Sequence, residues 1–153
     1  YSKYSKGGII SMFIGEYSYQ LDEKNRFRIP TKLKSGLGSE IVITKGSSNS
    51  LFVFNKAYFE QEFLNKLNSV PTFDANAQKA LRAFYSSCFE VECDNQGRYL
   101  LPASLREHAK ISKDVTFIGV GNRIEIWSST EWKNYNNISD FDSTISELGK
   151  FDI

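Results

Sequence analysis

Two aspartates and two arginines recur in this chain at one spacing. Arg26 follows Asp22 by four residues, Arg98 follows Asp94 by four, and the two pairs stand 72 positions apart. An aspartate opening a tight turn accepts hydrogen bonds from amides two residues on. The residue before each arginine is Asn25 in one segment and Gly97 in the other. A hairpin turn of this kind wants a positive φ there, which glycine adopts without steric cost and asparagine best among the rest. The arginine then either pairs back with its aspartate or points outward. Turned outward, a guanidinium grips phosphate or reaches guanine edges.

Other residues capable of chemistry do not assemble into a recognised constellation. Asp22 and Asp94, as paired carboxylates from repeated halves, raise the possibility of an acid–base dyad. Such dyads have small hydroxyl and glycine residues after the aspartate, whereas Glu23 and Asn95 follow here. His108 is the single histidine and sits beside Arg106 and Glu107 late in a short expected helix, which points to a surface or capping role. Cys88 and Cys93 with one histidine do not complete a zinc site, and they read as half-buried residues at a strand edge. No glycine-rich phosphate loop is present. We therefore expect no enzyme activity, no cofactor and no metal.

The elements that must position the two turns repeat with them. Leu21-Asp22-Glu23-Lys24-Asn25-Arg26-Phe27-Arg28-Ile29-Pro30-Thr31-Lys32-Leu33 matches Cys93-Asp94-Asn95-Gln96-Gly97-Arg98-Tyr99-Leu100-Leu101-Pro102-Ala103-Ser104-Leu105. Downstream, Ile41–Gly46 answers Val115–Gly119, and Leu51–Phe54 answers Ile124–Trp127. In each copy a strand enters the turn (16–21; 89–93), and a short strand leaves it and stops at Pro30 or Pro102. A short helix (31–35; 103–109) and two strands rich in Val, Ile and Phe follow. Gly121-Asn122 is a two-residue hairpin signal. Asn55 and Asp74 are expected to cap two connecting helices, the second running to about Ser86. Tyr58, Phe59, Phe63 and Leu67 recur at helical spacing and read as core. A short helix holding Trp132 and Tyr135 follows Trp127. The expected organisation is a first module over 12–54, a helical connector over 55–87, a second module over 88–135 and a polar, acidic, frayed tail over 136–153. Residues 1–11 read as a leader, an expression remnant or an upstream extension.

The chain is 153 residues long, 41% hydrophobic and 24% charged, with twelve Phe and eight Tyr, which suffices for a core without staples. Net charge is only +1 but unevenly spread. Residues 1–54 carry eight Lys/Arg against four Asp/Glu, 55–127 nine against nine, and 128–153 two against five. The first copy is the more cationic, since Lys24 and Arg28 stand where the second has Gln96 and Leu100. Lys32 and Lys34 add to it. No apolar run is long enough to span a bilayer, and two cysteines without further signals fit a reducing compartment.

The doubled turns, with Met12-Phe13-Ile14-Gly15-Glu16-Tyr17 upstream and Gly119-Val120-Gly121-Asn122-Arg123-Ile124-Glu125-Ile126-Trp127 downstream, resemble the MraZ family of the AbrB-like swapped-hairpin superfamily. The resemblance covers nearly all of 12–135. It implies an α+β, mainly β fold: two tandem swapped-hairpin modules in a pseudo-twofold, barrel-like core with short helices. It also implies a cytoplasmic, nucleoid-associated regulator that binds repeated promoter boxes of the division and cell-wall gene cluster as a ring-shaped homo-oligomer. By position, Asp22, Arg26, Asp94 and Arg98 match the family's Asp-x-x-x-Arg motif, and Lys24 lies within it. Asn25 departs from the family's glycine while keeping its geometry. The expected DNA surface is Arg26, Arg98, Lys24, Arg28, Lys32 and Gln96, with Asp22, Asp94, Asn25 and Gly97 as turn architecture. The alternative is a protein-interaction module of the AbrB-like antitoxin type, with the acidic stretch 140–152 wrapping a partner.

Overall fold

The structure, a computed structural model, describes residues 12–153, so the segment 1–11 lies outside it. Each copy contributes four strands. The first supplies β1 (Phe13–Gln20), β2 (Arg26–Phe27), β3 (Glu40–Lys45) and β4 (Leu51–Asn55). The second supplies β5 (Phe89–Glu92), β6 (Tyr99–Leu100), β7 (Asp114–Gly121) and β8 (Ile124–Ser128). Six of them form one antiparallel sheet in the order β1-β7-β8-β4-β3-β5, and β2 and β6 form a separate ribbon.

The order is a palindrome of the two copies, and the pairing crosses between them. β1 of the first copy pairs with β7 of the second, Tyr19 opposite Val115. β5 of the second pairs with β3 of the first, Val91 opposite Ile41. Tyr19 and Val91 are repeat equivalents, as are Val115 and Ile41, so each hairpin partner has been exchanged. The pseudo-twofold axis is marked where equivalents face each other, Phe27 against Tyr99 in the ribbon and Phe52 against Glu125 at the sheet centre. This is the mainly β, swapped-hairpin arrangement that the family resemblance implied. The sheet runs from β1 to β5 without a β1–β5 pairing, so among the described residues it is an open sheet capped by a ribbon and not a closed barrel.

Strand alternation divides the sheet into two apolar faces. Ile41, Ile43, Leu51, Val53, Val115, Phe117, Ile124 and Ile126 are buried on one face against Phe27, Tyr99, Leu33, Leu101 and Leu105. Phe27 and Tyr99 stack with ring centroids 5.5 Å apart, and the Tyr99 hydroxyl donates to the Gly38 carbonyl at 3.0 Å. The opposite face carries Val42 and Phe54, covered by the connector. There α2 (Lys56–Tyr58) continues through a π-helical turn, Phe59–Phe63, into α3 (Leu64–Asn68). Phe59 is buried and Tyr58 and Phe63 pack beside it, as the helical spacing indicated. Leu67 is only half-buried and lies outside that cluster. Asn55 caps α2 by accepting from the Tyr58 amide at 2.9 Å, and Asp74 caps α4 (Ala75–Tyr85) by accepting from Ala77 at 3.0 Å. Ser128, the repeat counterpart of Asn55, caps α6 (Ser129–Tyr135), whose Trp132 and Tyr135 close over Trp127.

Two elements differ from expectation. β1 begins at Phe13, three residues before the expected start, because β7 is long enough to pair with all of it. The tail is also ordered more than its polarity suggests. Asp140 caps α7 (Phe141–Ile145), and a 3-10 turn, Ser146–Phe151, follows. The Asp140 side chain accepts from the Ser143 amide at 3.2 Å and caps α7 despite the acidic composition.

Candidate nucleic-acid interface

The two turns adopt one geometry. Asp22 Oδ1 accepts from the amides of Lys24 and Arg26, each at 2.9 Å, and Asp94 Oδ1 accepts from those of Gln96 and Arg98, each at 2.9 Å. Asn25 has φ +60° and Gly97 φ +75°, so the asparagine takes the left-handed conformation of the glycine it replaces. Each arginine folds back. Arg26 Nε donates to Asp22 Oδ2 at 2.7 Å, and Arg98 Nε donates to Asp94 Oδ2 at 2.9 Å. Both carboxyls titrate below the usual aspartate range. The leading cause is the hydrogen bond from the Arg26 or Arg98 amide, only partly opposed by desolvation, and the guanidinium adds to it.

The crossed ribbon brings the turns together. Arg26 Nη1 lies 3.8 Å from Asp94 Oδ2, across the pseudo-axis. Two carboxylates and two guanidiniums therefore form one charge-balanced group at the axis. Arg26 and Arg98 are 25% and 24% exposed at the side chain, so they are half-sheltered, ion-paired groups that keep part of their surface accessible. From the sequence both arginines read as exposed working groups of the DNA surface; here each pairs back onto its own aspartate, because the turn brings the guanidinium within hydrogen-bond reach of that carboxylate. Phe27 and Tyr99 alternate into the core, so Arg26, Arg28 and Leu100 occupy the opposite, outer face of the ribbon.

The uncompensated charge lies around this group. Lys24, Arg28, Lys32, Lys34 and Gln96 are all exposed, and none of the four cations has an ion-pair partner among the described residues. Arg28, Lys34 and Gln96 come together in one cavity where the first copy meets the turn of the second. Lys24 and Lys32 are not part of that lining. The sequence singled out neither Tyr19 nor Thr31, which also line it. Their signal lies in the swap, which becomes legible only when the repeat offset is read as a pairing between copies.

The remaining candidates are accounted for structurally. His108 Nε2 lies 3.2 Å from the Gly46 carbonyl oxygen and ties α5 (Ala103–His108) to the β3–β4 turn. Cys88 and Cys93 are free thiols of intermediate burial, and burial pushes the Cys88 thiol up. Among the described residues there is no group of side chains that could hold a metal ion. No helix there is long and apolar enough to cross a membrane.

A family model described as "MraZ protein, putative antitoxin-like" matches the chain twice, over residues 12–83 and 84–147. This chain belongs to the MraZ family. Its similarity to MraZ relatives extends well beyond the turns. A protein of Clostridium beijerinckii named "Transcriptional regulator MraZ" is 44% identical over 144 residues, covering 93% of this chain and 100% of the relative. One of Alkaliphilus oremlandii with the same name is 45% identical over 127 residues, 82% of this chain and 87% of the relative. One of Moorella thermoacetica, again so named, is 42% identical over 145 residues, 93% and 100%. The MraZ relatives carry a regulator's name and not an enzyme's, in line with the non-catalytic reading of the sequence.

Proposed function

We propose that this MraZ-family chain is a DNA-binding transcription regulator that meets double-stranded DNA with the outer face of the β2–β6 ribbon and the two turns beside it. The observation that carries the reading is the crossed pairing, which sets both Asp-x-x-x-Arg turns about one axis with Arg26 3.8 Å from Asp94. Two-stranded ribbons enter DNA grooves, and guanidiniums on their outer face reach phosphates or base edges. In this reading Asp22 and Asp94, with Asn25 and Gly97, hold the turns. Arg26 and Arg98 present their free N–H donors, Gln96 adds a polar contact, and Lys24, Arg28 and Lys32 supply electrostatic affinity. The relatives' printed name supports the regulatory role.

Balanced charge at the axis makes one protomer a weak binder. Repeating the face in a homo-oligomer, as a ring on repeated promoter boxes, raises affinity through effective concentration. The proposed target is the promoter of the division and cell-wall gene cluster, and the proposed location is the nucleoid in the cytoplasm. Fluorescence anisotropy with a duplex carrying such boxes, paired with light scattering of the complex, tests this. The expected result is salt-sensitive binding by an oligomer, and salt-insensitive or absent binding by assembled protein overturns it.

A second reading as a partner-binding module draws on the tail. Phe141, Ile145, Leu148 and Phe151 are exposed along a segment that also holds Asp140, Asp142 and Glu147. Retention of DNA binding after removal of 136–153 separates the tail's role from that of the ribbon.

A further inference from the structure

A cavity of about 260 Å3 opens between the β2–α1 segment of the first copy and the Gln96–Gly97 turn of the second, where α1 is Thr31–Lys34. Its lining includes Arg28, Lys34, Thr31, Tyr19, Gln96 and Gly97, and no carboxylate among the described residues. Lys34 reaches across the copy boundary, since a methyl group built on Gly97 would lie 3.8 Å from its Nζ. The cavity thus joins two cations without ion-pair partners among the described residues, two hydroxyls and a carboxamide around a space larger than a tetrahedral oxyanion.

We propose that this cavity is a seat for one phosphate group, and that the twofold molecule has it on one side alone. The repeat makes the asymmetry readable. The position equivalent to Arg28 is Leu100, to Thr31 Ala103, and to Tyr19 Val91. The equivalent of Lys34 is Arg106, whose Nη1 donates to the Leu101 carbonyl at 3.1 Å within its own copy. On the mirrored side the guanidinium of Arg28 and both hydroxyls are missing, and one N–H of Arg106 is engaged within its own copy. Lys24 in place of Gln96 is the single change there that adds positive charge. Two donors of different shape suit the ligand. A guanidinium gives paired, planar N–H contacts to two oxygens, and an ammonium adds a compact charge to a third.

This site rests on the DNA-binding reading, with the phosphate coming from the sugar–phosphate backbone. A free phosphate supplies the same chemistry. The 153-residue protein and its Arg28→Leu and Lys34→Gln variants are titrated in two ways. In the first, inorganic phosphate is added at constant ionic strength against chloride, and the amide resonances of Gln96 and Gly97 are followed by NMR. In the second, affinity for promoter duplex is measured across salt concentrations. Lys66→Gln, on the connector, serves as the comparison, and circular dichroism verifies folding.

One shared phosphate predicts that each variant lowers the salt slope by about 0.9 and that the double variant lowers it no further. A fall of about 1.8 in the double variant shows two separate contacts and overturns the shared seat. Unchanged slopes with salt-sensitive wild-type binding remove DNA phosphate from the cavity and leave the regulatory reading standing. If Gln96 and Gly97 still respond to inorganic phosphate in that case, and lose the response in both variants, the seat is real and its occupant is a free phosphate. No response in either arm overturns the seat altogether. Absent DNA binding by the wild type, with an intact phosphate response, instead removes the regulatory reading and keeps the seat.

Discussion

Asp22 and Asp94 each accept from two backbone amides and one guanidinium, so much of the turn's geometry converges on a single carboxylate. Both have a folded pKa below the ordinary 3.8. A lowered folded pKa contributes stability that is fully present above the unfolded value and is lost as pH falls through the folded one. Melting followed from neutrality to about pH 3 should therefore show a steeper acid loss for the wild type than for the Asp22→Asn, Asp94→Asn double variant. Superimposable acid limbs would contradict the assignment. At the neighbouring position, Gly97→Ala should destabilise by about 1–2 kcal/mol, the cost of a Cβ in the left-handed region. The added methyl meets only Lys34 Nζ at ordinary contact distance, so this cost comes from the backbone. Asn25→Gly should be near neutral in a denaturant titration, since Asn25 already holds φ +60°. The aspartate and left-handed roles were legible in the sequence because turn chemistry is local. The arginines' pairing was not legible: they read as exposed groups, because a side chain four residues on reaches either its own aspartate or solvent and spacing does not choose between them.

At the scale of elements, the short helices and their caps were legible from Asn55, Asp74 and the two prolines, which are local signals as well. The crossing of β1 to β7 and of β5 to β3 was not derivable from periodicity, which gives strands but not their partners. It entered through the family resemblance, and the repeat register now makes it explicit. β1 depends on a close approach: Gly15 lies opposite Gly119, and a Cβ on Gly119 would overlap the backbone of Phe13 and Ile14. Gly119→Ala should release the first half of β1, with an overall cost of about 1–3 kcal/mol. Hydrogen exchange should then accelerate over Phe13–Glu16 while Tyr19 and Gln20 stay protected. Uniform protection along β1 would mean that the strand shifts to accommodate the methyl.

For the whole molecule, the exchange of hairpins means that neither copy owns a complete core. Phe27 stacks on Tyr99, and Val115 and Phe117 of the second copy bury against the first. A fragment of residues 12–87 should therefore be unfolded or homodimeric by light scattering, and a folded monomer would contradict the swapped architecture. A chain of net charge +1 nonetheless carries a local cationic face, from Lys24, Arg28, Lys32 and Lys34 of the first copy. Composition alone hides that face, because the acidic tail cancels the basic front in the sum. The central claim is that this face binds DNA. Its most direct test is the affinity of the protein for a duplex carrying repeated promoter boxes as a function of salt, with Arg26→Ala and Arg98→Ala beside the wild type. The account predicts a steep negative dependence for the wild type and weaker binding by each variant, with the solution mass by light scattering unchanged. Wild-type affinity in both variants, or no salt-dependent binding at all, would contradict it.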